Sequence, residues 1–183
     1  MIQIKNAAEL QKMRKACAIS AAALKAGGEA IEPGITTAEI DKIIYDFIVR
    51  HGARPNFLHL YGFPATACIS VNDTVIHGIP NKQQQIRPGD IVSIDTGCKI
   101  DGFNGDNACT YACGKIDLEA QRLLDVTKES LHRGIEMACG GNRVGDIGHA
   151  VQSYVEENGF SVVRTFVGHG VGKELHEDPE VPN

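Results

Sequence analysis

Residues 94–111, IDTGCKIDGFNGDNACTY, carry two aspartates, Asp95 and Asp106, on either side of an Asp101-Gly102 turn signal. Read as a hairpin, the stretch allows two registers. With Ile100-Asp101 as the loop, Asp95 sits directly opposite Asp106. With Asp101-Gly102 as the loop, Asp106 opposes Gly97, two positions along from Asp95. Both registers put the carboxylates on one face, with backbones about 4.5–8 Å apart. Like charges so placed destabilise a sheet, and a shared proton or a cation must compensate. The alternative is a solvated edge hairpin with two incidental acids. Ile94, Thr96 and Cys98 alternate to the opposite face, toward a core.

A third group is His169, set in GHGVG after an apolar stretch. Flanking glycines clear space around the imidazole and let another group approach the backbone. A lone histidine is more often structural than a ligand. Together with two carboxylates and no cysteine cluster, however, it makes an oxygen and nitrogen donor set suited to Mn, Fe, Co or Zn. Two such ions about 3.5–4 Å apart can activate water and polarise a carbonyl.

These residues must be held by a scaffold. Asn6 and Glu9 form a capping-box pattern that opens a first helix, with apolar residues at Leu10, Met13, Cys17 and Leu24 and an end near Gly27-Gly28. Thr36 and Glu39 cap a second, which buries Ile40, Ile44, Phe47 and Ile48 and stops at Gly52. TACISVN, DIVSID and FSVVRTFVG read as strands. A third helix is expected from about Asp117 to Ala138 and a fourth from about Gly145 to Asn158. A shift of 107 residues carries Gly34, Ile40, Ile44, Phe47, Ile48 and Gly52 onto Gly141, Ile147, Val151, Tyr154, Val155 and Gly159. The chain therefore reads as a duplicated helix-helix-strand unit, with a first repeat over about 1–112 and a second, incomplete one over about 113–183, in a single domain 1–183.

Composition excludes several classes. At 183 residues and 43% hydrophobic, the chain can fold around a core. A net charge of −5 with interspersed signs offers no nucleic-acid footprint. No apolar run approaches a membrane span, and the N-terminus has no secretory h-region. Six cysteines without a C-x-x-C pair read as reduced thiols in a cytoplasmic protein.

In order and spacing, VNDTVIHGIP, RPGDIVSIDTG, DGFNGDNACTY, FSVVRTFVGHGVG and LHEDPEVP resemble the methionine aminopeptidases, specifically the bacterial type I enzymes. The resemblance covers essentially the whole chain. It implies an α+β pita-bread fold (creatinase/aminopeptidase-like), pseudo-twofold around an antiparallel sheet. It also implies removal of the initiator methionine from nascent proteins, with two divalent metal ions (Co, Mn, Fe or Zn). By resemblance Asp95 is the bidentate ligand of one metal, Asp106 bridges both, and His169 binds the other. His77 and His176 are the histidines that handle the substrate amide, and Phe63 and Cys68 wall the methionine pocket. Leu60 and Leu175 stand where some relatives carry aromatics. The implied partners are the N-terminal Met peptides of nascent proteins and the ribosome, for a monomer with no membrane or direct nucleic-acid contact.

Two departures set further expectations. Asn104 replaces a histidine common before the Gly-Asp pair and is expected to be neutral. The family's two glutamate ligands lie beyond Asn183, so a C-terminally truncated chain with at most one weakly held metal and little turnover is expected. Glu174, Glu177 and Glu180 read as loop residues, with Glu177 lining the site. Two other readings remain: an Xaa-Pro peptidase, and a non-catalytic relative that binds peptides or ribosomes.

Overall fold

A computed structural model describes residues 1–183, which divide into two compact units. The first comprises Ile4–Ile116 with Val171–Leu175; the second comprises Met1–Gln3, Asp117–Gly170 and His176–Asn183.

In the first unit, helix α1 spans Ala7–Glu29 and α2 spans Thr37–Arg50. Both open with complete capping boxes, Asn6 with Glu9 and Thr36 with Glu39, as their sequences predict. Strand β1 is Arg54–Pro55, β2 is Ala67–Val71, β3 is Ile91–Ile100 and β4 is Phe103–Ala112. All pair antiparallel, with β3 at the centre. One edge of β3 holds β4, and the other is shared by β2 and β1.

The core lies on one face of this sheet. Ile69, Val92 and Ile94 pack with Ile40, Ile44 and Ile48 of α2, all essentially without solvent contact. The buried stripe of α1 differs from expectation. It is Ala16, Ser20, Ala23, Leu24 and Gly27, whereas Leu10 is 43% exposed and Cys17 faces solvent. Small residues win because the helix lies almost directly on the strands. Ser20 Oγ donates to the Thr96 carbonyl at 2.9 Å, and a Cβ on Gly105 would meet the carbonyl carbon of Ala16 at 2.5 Å. Bulky side chains would hold the backbones apart.

Asp41 of α2 starts β2. Its Oδ1 accepts from the backbone N–H of Thr66 at 2.9 Å and Ala67 at 2.8 Å. Burial raises its pKa, and the two N–H bonds work against that. Asp41→Ala leaves two amide donors orphaned and should cost about 2–3 kcal/mol, measured by urea unfolding. A loss below 0.5 kcal/mol on that scale would show that β2 begins without it.

In the second unit, α3 is Leu118–Met137, capped by Asp117, and α4 is Val144–Glu157. The 107-residue shift carries Thr37–Arg50 of α2 onto Val144–Glu157 of α4, residue for residue. The flanking glycines share left-handed backbone: Gly34 and Gly141 at φ 96° and 101°, Gly52 and Gly159 at 73° and 79°. Strand β5 is Gly168–Gly170 and β6 is Glu177–Val181, paired antiparallel. The expected strand over FSVVRTFVG forms only at its last residue, Gly168. β6 pairs solely with residues 168–170, so 160–167 find no ladder, and Val163 and Phe166 stand exposed. Glu177 and Glu180 are strand residues, opposite Gly170 and His169, and not loop residues.

Candidate active site

Register comes first. Ile100 pairs with Phe103, which leaves Asp101 and Gly102 as a two-residue loop with φ of 53° and 83°. Both values are positive, as a type I′ turn demands and as Asp-Gly supplies. Of the two registers the sequence allows, the structure therefore adopts the one in which Asp106 opposes Gly97. Asp95 pairs with Ala108 on β4 and with Cys68 on β2. Side-chain alternation then places Cys68, Ser70, Ser93, Asp95, Asn104, Asp106 and Thr110 on one face, away from the isoleucine core. The 2.8 Å contact between Ser93 Oγ and Thr110 Oγ1 confirms that face.

The carboxyl groups of Asp95 and Asp106 lie close enough to interact. Burial first, then the negative charge of Asp106, push Asp95 up to about 7. The crowding of the two carboxylates that the sequence implied is therefore present, and it favours a proton or a cation beside Asp95. Cys68 is 6% exposed. Burial, with Asp95, Asp106 and Asp41 nearby, pushes its thiol up to about 12. It is a neutral, soft wall and not a nucleophile.

His77 and Phe63 lie in the same unit, on the loops after and before β2. His77 is exposed and adopts φ 57°. Its neighbour Gly78 is clamped to β2: its N–H donates to Ser70 Oγ at 3.0 Å, and its carbonyl accepts from Ile69 N–H at 2.8 Å. That clamp holds His77 in a conformation that disfavours non-glycine residues, a pattern that clusters at functional positions. Phe63 is half-buried and closes the Leu60–Gly62 3-10 turn.

In the second unit, His169 and His176 meet edge-to-face with ring centroids 4.4 Å apart. His169 Nδ1 lies 2.9 Å from the Gly170 carbonyl, which can only accept, so the proton sits on Nδ1. Nε2 is then the basic nitrogen, the arrangement typical of an imidazole that ligates a metal. In neither unit do three His, Cys, Asp or Glu side chains converge into a ready cage.

Sequence reasoning missed Asn104. It is 2% exposed, and its Nδ2 donates to the Gly172 and Lys173 carbonyls, both at 2.9 Å. It is a buried anchor, a role that sequence reasoning did not assign to it. Counting back two positions from Asp106 would have placed it on the carboxylate face.

Metallopeptidase family M24 matches residues 11–183. A methionine aminopeptidase of Clostridium perfringens is 53% identical over 183 residues, covering all of this chain and 73% of the relative. The chain belongs to the methionine aminopeptidases of metallopeptidase family M24. The solved structure of the Thermotoga maritima methionine aminopeptidase superposes with a TM-score of 0.98 at 42% identity, over 100% of this chain and 74% of that one. The Pyrococcus furiosus prolidase superposes at 0.86 with 24% identity over 98% of this chain and 52% of that one, a likeness of fold alone. The pita-bread fold is thereby shown, and dependence on divalent metal comes with methionine aminopeptidase membership. The Asp95–Asp106 pair fits such a cation: two hard carboxylate oxygen donors are crowded at a spacing that favours a positive charge between them.

Proposed function

We propose that the protein removes the N-terminal methionine of newly made polypeptides by metal-dependent hydrolysis. The observation that carries this reading is the half-buried, closely juxtaposed Asp95–Asp106 pair in a methionine aminopeptidase chain. In this reading Asp95, Asp106 and His169 are the residues of this chain that would hold divalent metal, of Co, Mn, Fe or Zn, with two ions in the complete family centre. When bound, the ions supply an activated water and a polarised substrate carbonyl. The protein's own residues do the rest. His77 and His176 hold and orient the scissile amide. Phe63 and neutral Cys68 line an apolar pocket, and a soft sulfur wall suits an unbranched thioether. The substrates are nascent chains, so the reading implies a cytoplasmic monomer acting near the ribosome.

The test is methionine release from Met-Ala-Ser with each metal added in turn, beside an EDTA control. Metal-dependent release of methionine is expected, at a low rate for residues 1–183. Cleavage of Xaa-Pro peptides instead, or peptide binding with no turnover under any metal, would transfer the chain to one of the other readings. Division of labour among the histidines gives a sharper check. His77→Ala should lower kcat/KM by about 10²–10³-fold with metal content unchanged, because it touches substrate. His169→Ala should lower the metal content itself, read by elemental analysis after dialysis. Equal metal loss in both variants would show the roles to be wrongly divided.

A further inference from the structure

Lys99 and Asn104 are cross-strand partners next to the Asp101-Gly102 turn, and both reach the same short segment. The Asn104 backbone N–H donates to the Gly172 carbonyl at 2.8 Å, and its side-chain amide donates to the carbonyls of Gly172 and Lys173. Lys99 Nζ also donates to the Lys173 carbonyl. The Lys173 side chain turns back to Glu9, at 2.8 Å, and lies 5.7 Å over the Phe103 ring. Residues 171–175 are thus gripped by their carbonyl oxygens, and they are the connection between β5 and β6. His169 stands three residues before Gly172, and His176 follows the segment directly. At about 3.3–3.6 Å per residue, neither imidazole has more than a few residues of slack from the gripped carbonyls.

We propose that Asn104 is a positioning residue for His169 and His176, acting through the Gly172 and Lys173 carbonyls. A buried amide suits the task because it offers two N–H donors and no charge. Aspartate has the same shape, but it would turn carboxylate oxygens toward two carbonyls and add a third anion two residues from Asp106. Lys99 reinforces one of the two carbonyls from the rim, where its ammonium stays solvated and contributes less. The roles of the two histidines rest on the function proposed above; the docking of the segment does not.

The experiment uses metal-free protein labelled at histidine, with imidazole NMR signals recorded for the wild type, Asn104→Ala and Asn104→Asp. The signals of His169 and His176 should shift or broaden in both variants, while those of His132 on α3 and His149 on α4 stay in place. Amide exchange at Gly172 should quicken about 10–100-fold, with exchange in β3 and β4 unchanged. In Met-Ala-Ser turnover, kcat should fall at least tenfold with KM within about threefold. Unmoved His169 and His176 signals would overturn the proposal, as would a uniform rise in exchange through β3 and β4, which marks a merely structural residue. Altered signals with full kcat in both variants would overturn it as well. A wild type that releases no methionine under any metal would instead overturn the proposed function, and the imidazole signals would still decide the role of Asn104.

Discussion

Asp106→Asn should abolish metal-dependent turnover, by 10³-fold or more, and yet make the metal-free protein more stable above neutral pH. Both effects have one cause. Asp95 has a folded pKa near 7 against an ordinary value of 3.8, because it is buried and faces Asp106. Between those pH values the folded protein binds more protons than the unfolded chain, so metal-free stability falls as pH rises through that window. The full penalty is on the order of 4 kcal/mol. Burial remains in the variant, so only the part due to Asp106, about 1–2 kcal/mol, should be recovered. Urea unfolding in EDTA from pH 4 to 8 measures it: the decline should be shallower in the variant. Divalent metal should restore stability to the wild type at pH 8 and do nothing for the variant. If the variant were less stable than the wild type throughout, the pair would be a structural hydrogen bond and not a charge trap awaiting a cation.

Gly105→Ala should be among the most damaging single methyls in the first unit, because it forces α1 off the sheet. The added Cβ would lie 2.5 Å from the Ala16 carbonyl carbon and 2.6 Å from both the Ala16 oxygen and the Cys17 nitrogen. All three are backbone atoms, so no side chain can rotate away; α1 must lift from β4 or the hairpin must bend. A cost of about 3 kcal/mol or more is expected, lowering Tm by roughly 10 °C in a chain of this size. Gly102→Ala is the control. It meets nothing within 4 Å but sits at φ 83°, so about 1 kcal/mol is expected from backbone strain alone. A Tm loss for Gly105→Ala no larger than the control would mean that the α1–β4 contact is not tight.

Much of this was legible because local chemistry and tertiary context agree. Asn6, Thr36 and Asp117 cap helices wherever they stand, and Asp101-Gly102 can hardly form anything but a tight turn. The repeat was legible because glycines at both ends of α2 and α4 mark the same bends. What escaped depends on partners distant in sequence. The stripe of α1 was misjudged because hydrophobicity favours Leu10 and Met13, whereas the close approach of β4 selects Ala16, Ser20 and Gly27. Residues 160–167 look like a strand by composition, but a strand exists only where another strand accepts its bonds. Asn104 escaped because its role lies in carbonyls 68 and 69 residues away.

The first unit is discontinuous along the chain: Ile4–Ile116 is joined, after the intervening residues 117–170, by Val171–Leu175. During synthesis the sheet, α1, α2 and the carboxylate pair can assemble while the later helices are still inside the ribosome. At 5–20 residues per second, the last segment follows roughly 3–12 s later. For that interval Asn104 and Lys99 have emerged with no carbonyls to hold, and Phe103 lacks the second of its two lysines, Lys173. The seam around Asn104 is therefore a late-closing edge of the nascent chain, a place for chaperone attention before maturation and for mispairing if elongation stalls.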